Sequence, residues 1–411
     1  MAKKILQRKS KTIAIVSEFF PPHVTGGAEI FLENLALYLQ KRGFRIIVIT
    51  SEQGQDLRDA EFKTYKIRSS PVRIGHRYQF HGITLPWMFA NAALKNRLKE
   101  IYKNEKVGMV YANNIIHLSF APLQAASDMG IPVVLDVHDY WPICFTKDRF
   151  FNDDICTGEG VLKCAQCVGR KSGSVALAPA LVAGLAIERS KRYKNLRSKN
   201  IRRIVCHSAG GVEELAKHGL ESAAIPYPYM GLKARHEETK GGVFRILFVG
   251  RVEKIKGAHL LVGIAEELKE SMNVEFRIDV IGQGSLMGEI DRPDLNIFVH
   301  GYMKDERFEY FKRADCLLAL HGSPVPFGIV VLEGMAYQMP VIAIEGTGPA
   351  ELVKENDIGI VCKKEKIAEA ILKLVKDKKL VAKFRKNGAK SIGKYRKGRI
   401  FRAYESVFTA V

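Results

Sequence analysis

Ten short runs rich in Val and Ile, each followed by a helical pattern, limit this chain to very few folds. They are TIAIVS (12–17), RIIVIT (45–50), VGMVYA (107–112), PVVLDVH (132–138), RIVCH (203–207), RILFVG (245–250), FRIDVIG (276–282), NIFVH (296–300), CLLAL (316–320) and PVIAI (340–344). A strand with one wet face alternates apolar and polar residues, whereas nearly continuous apolar strands are covered on both faces. Helical crossovers supply that cover in parallel sheets. The polar, glycine-bounded stretch GLKARHEETKGG (231–242) divides the runs into two sets of five. The expected fold is α/β, with two Rossmann-like doubly wound domains and a cleft between them, over 1–235 and 243–394. A chain of 411 residues, 47% of them hydrophobic, suffices for two cores. There is no repeat at solenoid spacing and no low-complexity tail.

Local patterns agree with this division. In 29–42, Phe31, Leu35 and Leu39 recur every four residues and share one helix face. Lys41 and Arg42 suit the negative end of that helix, and Gly43 supplies its stop.

Charge narrows the partners. Sixty-four Lys and Arg against 44 Asp and Glu leave +20, a balance that suits phosphate-bearing ligands or an anionic membrane surface; a basic proteome is the other reading. No zinc-finger, RRM or KH signature accompanies the charge, so no nucleic-acid partner is expected. No stretch reaches the ~18 uncharged apolar residues of a membrane span, and the longest, VALAPALVAGLAI (175–187), is made of small residues. The basic start MAKKILQRKSK runs directly into a strand without the apolar core of a signal peptide, so the expected location is cytoplasmic.

Three glycine-marked turns carry the chemistry. GRVEKIKG (250–257) follows one strand and precedes a helical pattern. Gly250 admits close approach of a ligand, and Arg251 and Lys256 bracket the turn, placed to neutralise a diphosphate or as plain solvated charges. IGQGS (281–285) places Gly282 and Gly284 in a second strand-to-turn junction, but the six-residue dinucleotide fingerprint is absent, and a plain tight turn reads equally well. In PFGIVVLEGMA (326–336), Gly328 opens a helix, and Glu333 falls about one and a half turns into it, placed for a ribose hydroxyl pair or as a surface charge.

In this order, with GYMKDERFEYFKRADCLLALHGS and GTGPAELV beside them and PPHVTGGAEIFLENLALYLQKRGFRIIVIT near the start, these pieces resemble the family-4 retaining glycosyltransferases. The resemblance runs from about 12 to 408 and implies the GT-B fold. It implies that the last helix, in 395–411, packs back on the first domain. Carried over by position, Arg251 and Lys256 match the diphosphate clamp and Glu333 the ribose contact. Gly26 and Gly27 match the loop near the donor phosphates and acceptor, and His138 the histidine beside the reacting sugar. His138, Arg251 and Lys256 are thus the catalytic candidates. Gly26, Gly27, Gly250, Gly282, Gly284, Phe327, Gly328, Ile329 and Glu333 are the donor-binding ones. The implied reaction moves a sugar from a UDP- or GDP-sugar to a glycan, glycolipid or lipid-linked acceptor and requires no catalytic metal.

One position departs from the pattern. The family's first motif glutamate, eight residues before the second, falls on Val325, which cannot accept a hydrogen bond from the transferred sugar. A lost charge-assisted bond costs ~1.5–3 kcal/mol, a modest part of the ~8–23 kcal/mol an enzyme supplies. Backbone at 326–329 then holds the sugar, or the sugar lacks or reorients that hydroxyl. The alternative is a sugar-nucleotide-binding protein that transfers nothing.

Two further segments stand outside this pattern. Cys144, Cys156, Cys164 and Cys167 follow His138 with spacing C-x11-C-x7-C-x2-C, open to a structural zinc, two disulfides, an iron–sulfur cluster or free thiols. The insertion resembles a cysteine-bearing loop in a subset of the family. ERSKRYKNLRSKNIRR (188–203) has eight basic residues and one Glu, read as a solvated helix face or as attraction to the inner face of the cell membrane. Trp87 and Phe89 in LPWMFA read as apolar contacts for the same surface or as core packing.

Overall fold

The computed structural model describes residues 11–24, 26–52, 61–68, 91–156, 161–172, 179–231, 237, 242–271, 273–322, 324 and 327–411. Val325, Trp87 and Phe89 lie outside the described residues.

The chain forms two compact units. The first comprises the described residues of Met1–Lys147, Thr157–Ile225 and Phe401–Val411; the second comprises Asp148–Cys156 and those of Pro226–Ile400. The first unit's sheet is built from β1 (Thr12–Val16), β2 (Arg45–Ser51), β3 (Lys63–Ile67), β4 (Val107–Ala112), β5 (Val133–Val137), β8 (Ile201–Cys206) and β9 (Ala223–Ala224). Its order is β3-β2-β1-β4-β5-β8-β9, with every neighbour parallel. Between β5 and β8 the chain makes the short antiparallel pair β6 (Phe150–Phe151) and β7 (Asp154–Ile155), which groups with the second unit.

The second unit's sheet uses β10 (Phe244–Val249), β11 (Phe276–Ile281), β12 (Ile297–Val299), β13 (Cys316–Ala319), β14 (Val341–Ile344) and β15 (Gly359–Cys362) in the order β12-β11-β10-β13-β14-β15, again all parallel. Each sheet therefore reverses its winding once, at β1/β4 and at β10/β13. Open α/β sheets bind ligands beyond the C-terminal strand ends at that point.

All ten expected strands form. β3, β9 and β15 do not stand out in sequence because they lie at or near sheet edges. KTYKI of β3 is largely polar and half-exposed, so no apolar run marks it. In helix Gly27–Lys41, Phe31, Leu35 and Leu39 are buried, and Gly43 follows the helix at φ 93° with its N–H on the Gln40 carbonyl, 2.9 Å away. The last helix, Lys397–Ala410, seals this side of the first unit. Phe401, Tyr404 and Phe408 are fully buried, and Glu405 accepts from Tyr38 Oη at 2.8 Å and pairs with Arg42 Nε at 3.1 Å.

The basic segment 188–203 divides differently from the single helix face expected. Helix Pro179–Lys199 ends before β8, so Arg202 and Arg203 belong to the sheet. Arg189 is buried, with its guanidinium 3.1 Å from the Ile143 carbonyl and stacked over Phe145; Arg192 pairs with Glu188, and Arg197 with Glu221. Lys191, Lys194, Lys199, Arg202 and Arg203 remain exposed. No helix among the described residues is long and apolar enough to cross a membrane.

Candidate functional site

In the second unit, the ends of β10, β11 and β13 hold the basic turn. The GxG glycines act here through packing. A Cβ on Gly282, at φ 148°, would lie 1.8 Å from the Gly250 carbonyl oxygen, and one on Gly284 would lie 2.1 Å from that of Val252. These glycines let the two post-strand turns press backbone to backbone. Gly257, at φ 77°, ends the turn Lys254–Lys256, and a Cβ there would lie 2.0 Å from the Leu320 oxygen. The tight packing draws Lys256 against the end of β13.

Arg251, Lys256 and His321 converge there. Arg251 is exposed and Lys256 half-buried. Burial, reinforced by the neighbouring Arg251 guanidinium, pushes the Lys256 ammonium from 10.5 down to about 7, against the opposing pull of Asp148. His321 is buried with no hydrogen-bond partner for Nδ1 among the described residues, and desolvation, then Lys256 and Arg251, hold its imidazole well below its ordinary value. Neither Arg251 nor Lys256 makes a salt bridge with another described residue, whereas the neighbouring Lys254 pairs with Asp153. A half-buried ammonium beside a second cation and without a carboxylate in contact is an anion receptor.

Phe327 packs between Tyr227 and Tyr395, at ring distances of 5.3 and 6.5 Å. Gly328 caps helix Ile329–Ala336, and a Cβ on it would lie 2.7 Å from Pro349. Ile329 opens that helix, and Glu333 projects from its second turn onto Arg307, with Oε1 to Nη2 at 2.8 Å. Burial raises the Glu333 carboxyl, and Arg307 counters it. Arg307 lies 26 residues away, and no motif marks it.

The short β6–β7 pair borders the same unit. Asp153 pairs with Lys254 at 2.9 Å, Asp154 lies 3.8 Å from Lys364, and Phe150 lies against Gly322, just past β13.

The first unit gathers a second set of groups beyond β1, β4, β5 and β8. His138, just past β5, has its side chain buried, with Nε2 3.3 Å from Asp136 Oδ2. His207, just past β8, sets Nε2 3.1 Å from Asp136 Oδ1 and Nδ1 3.0 Å from the Ile225 carbonyl. Tyr111 Oη and Tyr404 Oη, the latter at 2.9 Å, donate to Asp136 Oδ2. One ligand atom each from Asp136, His138 and His207 lies within 4.8 Å of the others. Both hydroxyls donate to the one oxygen Oδ2, and the two imidazoles lie beside the carboxylate, so the cluster is a polar hub around a single buried charge. A pocket lined by Asn113, Asn114, Asp136, His138, Asp139 and Trp141 adjoins it.

Gly26 and Gly27 stand at the start of helix Gly27–Lys41, where the Gly26 N–H donates to Glu29 Oε2 at 2.8 Å. Nearby Glu18, at the end of β1, carries no motif. It is 1% exposed, and burial, with Asp139 and Glu29 adding to it and Lys147 opposing, pushes its carboxyl from 4.5 up to about 8. Between those values the folded state holds a proton that the unfolded chain has lost, so stability falls as pH rises through the window. Glu18→Gln removes that slope. It is expected to melt with the parent protein at pH 5 and above it at pH 8.5, by an amount on the order of a few kcal/mol. Calorimetry at the two pH values measures this.

None of the four cysteines of this loop is in a disulfide. The Thr146 hydroxyl stands between Cys144 and Cys167, 3.5 and 3.8 Å from their sulfurs, while Cys156 belongs to the second unit.

Two family patterns match the chain in tandem. The pattern described as "Glycosyltransferase Family 4" matches residues 25–227, and "Glycosyl transferases group 1" matches residues 233–391. The chain belongs to the group 1, family-4 type glycosyltransferases. Sucrose-phosphate synthase 4 from Arabidopsis thaliana is 38% identical over 73 residues, 17% of this chain; the match spans 7% of that relative's length. The solved sucrose-phosphate synthase from Thermosynechococcus elongatus superposes with a TM-score of 0.69 at 16% identity, covering 98% of this chain and 100% of that one. HepE from Anabaena, solved in complex with UDP, gives 0.65 at 16% identity, covering 98% and 100%. These likenesses place the fold in the GT-B class.

Proposed function

We propose that this glycosyltransferase is a retaining enzyme that moves a sugar from a UDP- or GDP-sugar to a glycan, glycolipid or lipid-linked acceptor. The observation that carries the proposal is the pair Arg251 and Lys256 at the winding reversal of the second sheet, two cations with no carboxylate bound to them among the described residues. A diphosphate seated there has its charge balanced as it leaves, so the chemistry requires no catalytic metal. Glu333, held by Arg307, is assigned to the ribose hydroxyl pair, and His138 to the reacting sugar. The UDP bound to HepE supports a nucleoside diphosphate as the ligand class.

Sugar contact falls to the backbone around Phe327, Gly328 and Ile329, because Val325 offers no acceptor. A donor that lacks or reorients the corresponding hydroxyl, such as a deoxy sugar, fits this arrangement. The five exposed basic residues from Lys191 to Arg203 support a peripheral position on an anionic membrane surface at a cytoplasmic face.

A thermal-shift panel of UDP- and GDP-sugars tests the proposal, followed by turnover assays with the donors that raise the melting temperature. The preferred donor is expected to stand out and to be turned over, and Arg251→Ala to abolish both effects. Nucleotide binding with no turnover of any donor would instead support a binding protein. A chelator arm reports on the cysteine loop, since loss of a structural metal lowers the melting temperature.

A further inference from the structure

None of the donor-site candidates lies on helix Lys378–Ser391 of the second unit. That helix carries Lys378, Lys379, Lys383, Arg385, Lys386 and Lys390 and no acidic residue. With its flanks, residues 373–399 hold twelve Lys or Arg against Asp377, leaving +11 of the chain's +20. Packing fixes the direction of this charge. Phe384, Gly388 and Ser391 are buried, and a Cβ on Gly388 would lie 3.1 Å from the Met335 carbonyl oxygen, so that face meets helix Ile329–Ala336. Lys379, Lys383, Lys386 and Lys390, spaced four, three and four apart, fall within an arc of about 60° on the opposite side. All four are exposed. They form a stripe about 17 Å long.

The fold compensates little of it. Lys383 pairs with Asp357 at 2.7 Å, and Asp357 also accepts from Asn387 Nδ2 at 3.0 Å. Asp377 is engaged as the helix cap, accepting from the Leu380 N–H at 2.9 Å. Lys379, Lys386 and Lys390 make no ion pair with another described residue. Lysines three and four apart repel, and Lys378 and Lys379 occupy the first turn, the positive end of the dipole. Glutamates at these positions would stabilise the helix, whereas an anionic partner turns the same lysines into a favourable contact. A bilayer surface fits them best. The charges are ammonium groups rather than guanidinium forks, and no large apolar side chain of 373–399 is exposed among the described residues. The stripe therefore offers neither bidentate phosphate recognition nor a stacking platform for bases.

We propose that the lysine stripe of helix Lys378–Ser391 is a docking surface for anionic lipid headgroups. It shares its partner with the peripheral position read from Lys191 to Arg203, lies on the other unit, and does not depend on the donor assignment.

Sedimentation of the full chain with vesicles tests this. The parent protein is expected to bind phosphatidylcholine vesicles containing about 30% phosphatidylglycerol in low salt, and to be released at about 0.5 M salt, where surface charges are screened. Replacing Lys379, Lys383, Lys386 and Lys390 together by Gln is expected to lower vesicle affinity at least about tenfold, since each basic residue near such a surface contributes about fivefold. The same four positions changed to Arg should bind as the parent does. The thermal shift with UDP should be unchanged in both variants, which reports an intact fold and donor site. If the fourfold Gln variant does not fold, Lys379→Gln, Lys386→Gln and Lys390→Gln together preserve the Asp357 pair and take its place. Undiminished vesicle binding in a folded Gln variant overturns the proposal. So does parent binding that is equal with and without phosphatidylglycerol, or a loss seen for a nucleic-acid duplex and not for vesicles. A loss confined to the combined Lys191→Gln, Lys194→Gln and Lys199→Gln variant also overturns it, and leaves the other membrane contact standing. A parent without a UDP shift strikes the donor reading alone, and the vesicle result still decides the stripe.

Discussion

Lys256→Met is expected to weaken nucleoside-diphosphate binding by about 10²-fold or more while making the ligand-free protein more stable at pH 6. Truncating one partner of a buried charge pair costs about 2–5 kcal/mol of binding, which sets the first figure. The second follows from linkage. The Lys256 ammonium titrates near 10.5 when unfolded and at about 7 when folded. Below about 7 both states are charged, and the folded protein bears the whole desolvation cost, on the order of a few kcal/mol. The unfolded chain binds more protons between the two values, so the cost shrinks as pH rises and vanishes near 10.5. The melting temperature of Lys256→Met should exceed that of the parent most at pH 6 and converge with it at alkaline pH. Titration calorimetry with UDP and GDP measures the affinity. A change under threefold for both nucleotides would remove Lys256 from the anion site. Loss of stability at pH 6 would show that its charge is compensated in the fold.

The second large effect is a pH dependence of donor affinity in the unaltered protein. A nucleotide sugar carries a diphosphate esterified at both ends, so its charge is constant across neutral pH. Lys256 is half-protonated near pH 7 when the site is empty, and a bound anion favours the ammonium. Binding above pH 7 therefore takes up a proton, and affinity falls toward tenfold per pH unit until the bound ammonium itself titrates. Between pH 6.5 and 8.5 the dissociation constant is expected to rise at least about tenfold. Calorimetry in two buffers of different ionisation enthalpy should detect uptake approaching one proton at pH 8. His321 is held well below its ordinary value by burial and adds no step near neutrality. Lys256→Arg, charged throughout, should bind with a flat profile. A flat profile in the parent would mean that the ammonium does not meet the diphosphate.

The phosphate-side residues were legible in sequence because they are neighbours in sequence. Gly250, Arg251, Lys256 and Gly257 occupy one strand-to-helix turn, and close backbone approach permits only glycine at 257 and 282. Arg307, His321 and Glu18 carried no signal, since an isolated charge in a polar stretch reads as a surface residue. For the basic segment 188–203, sequence suggested one exposed face, but packing buried Arg189 and placed Arg202 in a strand.

The apolar runs by themselves determined the fold class, the division into two halves and the position of the basic turn, because burial of both faces of a strand and the dihedral freedom of glycine are local requirements. Only the tertiary structure decided the Asp136 hub. Tyr111 and Tyr404 reach that carboxylate across 25 and 268 residues of chain. It likewise assigned residues 148–156 to the second unit. Desolvation and charge pairing depend on distance in space, and no spacing along the chain encodes which distant donors will close around a buried carboxylate.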